Sequence, residues 1–180
     1  MYSIKDAINY GLRKLGFDQI KENQRQVVEA YLAGRDVLMV SPTGSGKSLT
    51  FHIAPFVYNY LKRGEKEQVN SVCLVIVPLL SLMRDQVAAL QRKCIAAVSL
   101  GADTTDEEMT GIKEGKYNII FGTPESVLRS YRYLFRGVLK ERIDVVFVDE
   151  SHCVAKWLVC NILHGHKGKD MCDVLPSCTV

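Results

Sequence analysis

The chain has 180 residues, room for one domain and at most a small appendage. Apolar residues make up 47% and charged residues 24%, an ordinary globular composition, and no apolar run approaches the ~20 residues of a membrane span. The net charge of +3 is too mild to argue a nucleic-acid partner by itself. The start, MYSIKDAINYGLRKLG, is amphipathic and mixed in charge, unlike a secretory signal. The cysteines at 73, 94, 153, 160, 172 and 178 are therefore expected as reduced thiols, in the cytosol or nucleus.

In chain order, Ile4, Ala7, Ile8, Leu12 and Leu15 recur at helical spacing and predict a helix over residues 3–15, ended by Gly16. The piece Ile20–Gln26 is expected to lead into a second helix that runs through Ala33 and is stopped by Gly34. The apolar run Val37-Leu38-Met39-Val40 is expected as a strand, and it leads into Ser41–Ser48, SPTGSGKS. Strand, glycine-bearing loop and helix together are the setting of a phosphate-binding loop. Gly44 and Gly46 free the backbone to turn its N–H groups inward, among them those of Thr43, Ser45 and Lys47. Lys47 supplies a point charge for the outer phosphates, and the Ser48 hydroxyl suits a magnesium ion. The strict pattern asks for glycine at position 41, where this chain has serine.

A helix is expected from the loop to about Arg63, then a charged turn. Val72–Val77 is a continuous apolar run, as in a strand buried on both faces, and Pro78 ends it. A helix follows with Ser81 as its expected N-cap. Ala96–Leu100 and Asn118–Gly122 read as strands. Between them Thr105 to Glu108 suggests a capped helix that Gly111 and Gly115 shorten. Pro124 is expected at a first helical position, and Tyr131, Tyr133 and Phe135 on a helix packing its rings on the sheet. The last strand, Val145–Val148, carries Asp149 and Glu150 to the edge of the sheet where ligands bind in open α/β folds. Asp149 is the candidate to hold magnesium and Glu150 to orient and deprotonate a water. Strands alternating with helices over residues 37–149 predict an α/β fold with a mostly parallel sheet and helices on both faces.

With these pieces in order, residues 4–157 resemble the first motor domain of a RecQ-type DNA helicase of superfamily two. Besides the phosphate loop, the resemblance rests on Val77–Gln86, VPLLSLMRDQ, on Thr123-Pro124-Glu125, and on Asp149-Glu150-Ser151-His152 with serine in place of alanine. Cys153 and Trp157 match the start of an aromatic-rich loop that senses DNA. The resemblance implies a RecA-like P-loop fold and 3′-to-5′ unwinding driven by ATP with magnesium. It also implies single-stranded or forked DNA as partner, and a nuclear location with work in DNA repair and recombination. It makes Gln24 the adenine-reading amide and His152 the link between nucleotide and DNA. Ser81, Asp85, Gln86, Thr123 and Trp157 become candidates along the DNA path. Lys47, Asp149, Glu150 and His152 are the expected catalytic set, with magnesium on Ser48 and Asp149. Ile20-Lys21 stands where the family usually has an aromatic residue and arginine, and lysine lacks the planar fork that stacks on a base.

After Trp157 the family pattern is not followed, and residues 158–180 are expected as a divergent, irregular tail. Cys160, His164, His166, Cys172 and Cys178 in that tail are too loosely spaced for a zinc site. The resemblance also implies a strand between the phosphate-loop strand and the Asp-Glu strand that this sequence does not supply. An unfilled slot predicts marginal stability and, for this chain alone, no unwinding. The competing expectations are a truncated, non-catalytic module that binds ATP weakly or binds partners, and an unrelated P-loop ATPase or kinase.

Overall fold

The computed structural model describes residues 2–42, 44–64 and 71–150. Four parallel strands form one sheet: β1 (Val72–Ile76), β2 (Ala97–Leu100), β3 (Ile119–Gly122) and β4 (Ile143–Val148), in the order β2-β3-β1-β4. β1 is central, with Cys73 beside Ile119 on one side and beside Val145 on the other, and all five of its residues are buried. Its continuous apolar run is thereby explained, because helices cover both faces.

On one face lie α1 (Ile4–Leu15), α2 (Glu22–Leu32), α3 (Ser48–His52), α4 (Ala54–Arg63) and α5 (Leu80–Gln91). Their buried side chains, among them Leu12, Val28, Phe51, Val57 and Met83, pack with Cys73, Val75, Ile119, Phe121 and Val145. On the other face α6 (Asp106–Glu114), a π-helical turn at Ser126–Ser130 and α7 (Arg132–Arg136) set Ile112, Val127, Leu134 and Phe135 against Leu74, Ile76, Ile120 and Val146. Each large apolar side chain buried in this way contributes about 1.5–3 kcal/mol. The expected α/β architecture is present.

Local chemistry explains where the elements start and stop. Ser3 caps α1 through its hydroxyl, and Gly16, at φ 74°, closes it. Thr105 and Glu108 form a reciprocal capping box on α6. Gly111 does not shorten α6: it sits inside the helix, where a Cβ would come within 2.9 Å of the Tyr117 ring. The helix expected to run to Arg63 is broken between α3 and α4, because Pro55 lacks an N–H to continue the ladder. Leu79, not Ser81, occupies the N-cap of α5, in extended backbone. Of the three aromatics near α7, Phe135 is buried on the sheet, Tyr131 donates its hydroxyl to the Gly101 carbonyl at 2.6 Å, and Tyr133 points outward.

The clearest departure is Val37–Val40, which is not a strand. Leu38 is 68% and Val40 87% exposed. A strand exists only through a neighbour's backbone. The sheet ends at β4, and among the described residues no strand lies between β4 and this run.

Candidate functional site

Ser41–Ser48 forms a tight loop, of which Thr43 lies outside the described residues. Gly44 and Gly46 take φ 77° and 91°, the left-handed region where a side chain is strained. At Gly46 a Cβ would also come within 2.8 Å of the Gln24 amide nitrogen. The Ser45 N–H donates to the Pro42 carbonyl, and the Ser41 and Ser45 hydroxyls bond each other at 2.8 Å. Lys47 turns its amine back on the loop, donating to the Ser41 carbonyl at 2.7 Å and to that of Pro42 at 3.4 Å. The amine charge thus sits inside the curve that the glycines open.

β4 brings the two acids to the same place. Asp149 extends the ladder, its N–H donating to the Ile76 carbonyl at 2.9 Å. Glu150 then turns into left-handed backbone, φ 55°, with its N–H donating to the Asp149 carboxylate at 3.1 Å. That conformation costs a non-glycine residue about 1–2 kcal/mol. Ser41, Lys47, Asp149 and Glu150 line one cavity of about 360 Å³, floored by Val27, Tyr31, Phe51, Val145 and Phe147. Burial pushes the Asp149 carboxyl above the usual range, the Glu150 N–H that it accepts pulls it partly back, the Glu150 charge adds to the rise, and the nearby Lys47 charge lowers it a little. A divalent cation here would favour the ionised form. The Asp149 carboxylate is a hard oxygen donor that fits magnesium, while the Ser48 hydroxyl, a second such donor, lines a neighbouring hollow and not this cavity; the glycine cradle with Lys47 fits a chain of phosphates.

Gln24 is 3% exposed, and the structure uses its amide at both ends. The carbonyl accepts the Lys21 N–H at 2.9 Å, and the amino group donates to the Gly46 carbonyl at 2.8 Å. One N–H and one lone pair remain for a base edge. Lys21 also reaches the loop, donating from Nζ to the Ser45 carbonyl at 2.8 Å. Beside them lies a second hollow of about 400 Å³, lined by Phe17, Gln19, Lys21, Gln24, His52 and Lys93 among others. Sequence reasoning did not single out Phe17, His52 or Lys93, which come from three separated segments. Lys93 sits 4.5 Å over the Phe17 ring. Burial lowers the His52 pKa to about 4, so its ring is neutral at neutral pH.

The residues expected along a DNA path divide. Ser81 and Asp85 are exposed on the first turns of α5. Gln86, one position on, is half-buried and its amide lies 3.5 Å from the Ser48 hydroxyl, tying α5 to the phosphate loop. Thr123 accepts the Ser126 N–H on its hydroxyl at 3.2 Å and so caps the following turn. His152, Trp157 and the histidines and cysteines of residues 158–180 lie outside the described residues. Among the described residues no cluster of three or more histidine, cysteine, aspartate or glutamate side chains could hold a metal by itself.

Comparison with known proteins adds the family. A model described as DEAD/DEAH box helicase matches residues 21–169. The chain is 34% identical over 159 residues to an ATP-dependent DNA helicase Q-like SIM of Arabidopsis thaliana, covering 86% of this chain and 17% of that protein. It is 31% identical over 146 residues to the ATP-dependent DNA helicase RecQ of Haemophilus influenzae, covering 79% of this chain and 22% of that one. The chain thus spans about a fifth of the length of these relatives. Among solved structures, the helicase MrfA bound to DNA and AMPPNP is similar in fold, with TM-score 0.67, 20% identity and coverage of 91% of this chain and 24% of that one. The DEAD-box helicase Mss116 bound to ssRNA and UDP-BeF gives TM-score 0.61, 18% identity, and coverage of 91% and 36%.

Proposed function

Because the chain belongs to the DEAD/DEAH box helicase family, we propose that it forms the ATP- and DNA-binding lobe of a RecQ-like 3′-to-5′ DNA helicase. The observation that carries this reading is the meeting of Lys47 with Asp149 and Glu150, about a hundred residues apart in sequence, at one cavity. Lys47 leaves its own loop carbonyls for the outer phosphates of ATP, while the N–H groups of residues 43–48 hold the phosphate oxygens. Ser48 and Asp149 carry magnesium, which when bound offsets the negative charge of the phosphates. Glu150 orients a water and takes its proton, and Gln24 seats the adenine with the N–H and lone pair it has left. The second hollow, beside Gln24 and Gly46, supports a base site there. Ser81 and Asp85 face solvent along the DNA side, Thr123 shapes it, and Gln86 joins α5 to the loop that holds the nucleotide. His152 and Trp157 keep the linking and DNA-sensing roles that the resemblance implies. A nuclear location, and work in repair and recombination, belong to the same proposal and rest on the resemblance alone. No helix among the described residues is long and apolar enough to cross a membrane.

The test is ATP turnover with and without single-stranded and forked DNA. DNA-stimulated turnover that Lys47→Ala abolishes and Glu150→Gln lowers by about 10²–10⁴ supports the assigned roles. Nucleotide binding without turnover in either DNA would favour a non-catalytic binding module. Unchanged turnover in both variants would remove Lys47 and Glu150 from the chemistry.

A further inference from the structure

β4 leads at its C-terminal end to Asp149 and Glu150, and Ser81, Asp85 and Thr123 follow the same ends of β1 and β3. At its other end, the turn from α7 into β4 borders a hollow of about 750 Å³ that none of those residues lines. With a rise of about 3.3 Å per strand residue, Arg142 lies roughly 23 Å from Asp149. The lining sets four cations, Lys62, Arg136, Lys140 and Arg142, against one acid, Glu141. That excess equals the net +3 of the whole chain, so a charge that is mild overall is gathered in one place. The cations are also held there. Leu139 is buried and anchors the turn, and the Lys140 and Arg142 N–H groups donate to the Gly137 and Leu139 carbonyls. Arg142 Nη1 donates to the Lys113 carbonyl at 3.0 Å, in room that Gly115 leaves: a Cβ there would come within 2.7 Å of the same nitrogen. Lys62 pairs with Asp144, whereas Arg136 and Lys140 are exposed and form no ion pair among the described residues.

We propose that this hollow is a second nucleic-acid site, which takes successive phosphates of a DNA backbone on the edge of the sheet opposite the nucleotide cavity. Guanidinium forks match phosphate oxygens two at a time, and lysines add point charges. Like charges gathered in one place repel each other, and a polyanion laid across them relieves that repulsion. The nucleotide cavity has an apolar floor for a ring to lie on, but here Val138 is the one large apolar side chain of the lining. The site therefore holds backbone and reads no sequence, and its affinity falls as salt rises. That the polyanion is DNA rests on the helicase reading; the phosphate chemistry rests on the hollow alone.

The probe is a fluorescent oligothymidine of about 15 nucleotides, titrated by anisotropy at low and at physiological salt, with binding of a fluorescent ATP analogue measured in parallel. The double variant Arg136→Glu, Lys140→Glu changes only exposed side chains. Its charge-matched control, Lys5→Glu with Arg92→Glu, changes exposed cations outside the hollow. Amide exchange over β1 that matches the parent shows that each variant is folded. The expected result is oligonucleotide affinity about tenfold or more weaker in the hollow variant at low salt, with a log–log salt dependence shallower by about 1–2. The control should stay within about twofold of the parent. ATP-analogue binding should be the same in all three, because the two sites lie at opposite ends of β4. No oligonucleotide binding by the parent, or equal binding by the hollow variant, overturns the site and, with the ATP analogue still bound, leaves the nucleotide reading intact. An equal loss in the control overturns it in favour of net charge. Displacement of the oligonucleotide by polyglutamate as readily as by unlabelled oligonucleotide of the same charge overturns it in favour of an acidic protein partner. A loss confined to the hollow variant, with no ATP-analogue binding by the parent, keeps the site and sinks the nucleotide reading instead.

Discussion

Val37–Val40 and Val72–Ile76 are both short apolar runs, and they have opposite fates. The second is β1, buried throughout with a strand on each side. The first has no strand beside it among the described residues, and Leu38 and Val40 face solvent. Side-chain pattern therefore nominates a strand, and neighbouring backbone makes it one. The functional loop hangs from the unpaired run, while the acids hang from the paired side of the sheet.

Substitutions can break or sharpen this contrast. The largest expected effect is at Leu74, fully buried on β1. Leu74→Ala should cost about 2–5 kcal/mol, read as a fall in the urea midpoint. That is a large part of the roughly 5–15 kcal/mol that holds a typical domain together. A near-neutral result would mean β1 is not the centre of the core.

Next comes pH, which probes the helix that follows the phosphate loop. His52 has a folded pKa of about 4, below its ordinary 6.5. The unfolded chain therefore binds the extra proton first, and stability falls as pH drops from about 6.5 toward 4. The expected loss is up to about 3 kcal/mol, since each tenfold difference in proton affinity between the folded and unfolded chain is worth about 1.4 kcal/mol. Asp149 acts in the opposite sense, because its raised carboxyl gains a proton more readily when folded. His52→Gln should flatten the decline in a denaturation series across that window. A variant as acid-sensitive as the parent would place the effect elsewhere.

Gly46→Ala is expected to cost about 1–2 kcal/mol from its left-handed backbone, with the Gln24 amide also displaced. Gly44→Ala meets the same backbone strain with no atom within 4 Å, so it should cost less. Thermal shifts of the two variants would order them, and the reverse order would mean that Gln24 does not brace the loop. The smallest effect is at Leu38, where alanine should change stability by less than about 0.5 kcal/mol. A loss there matching that of Leu74→Ala would show that the run is packed after all.

Much of the fold was legible because β1, β2, β3 and β4 each carry a run of apolar residues, which a sheet covered on both faces requires. Val37–Val40 has the same pattern and misled, since no feature within the run reports whether a neighbour is present. Helix ends were legible at Gly16 and Thr105, where one residue's chemistry decides. They were less so at Gly111, whose missing side chain makes room for Tyr117, a contact that spacing does not reveal. At the candidate site, Gly44, Gly46, Lys47, Asp149 and Glu150 could be read directly, because loop and strand end place them by short-range rules. Gln24 was singled out as an adenine reader, but its bracing of Lys21 and Gly46 depends on how α2 lies against the loop. Gln86 was grouped with the DNA contacts, and only the packing of α5 shows it beside Ser48. The hollow of Phe17, His52 and Lys93 is assembled from distant segments and left no local signal.

The most direct measurement is a calorimetric titration of ATP into the chain with magnesium and with chelator, repeated for Lys47→Ala and Asp149→Ala. The loop and the acids forming one site predicts magnesium-dependent binding that each substitution weakens by about tenfold or more, as expected for a charged contact worth about 1.5–3 kcal/mol. Binding of equal strength in all three proteins, with or without magnesium, would contradict it.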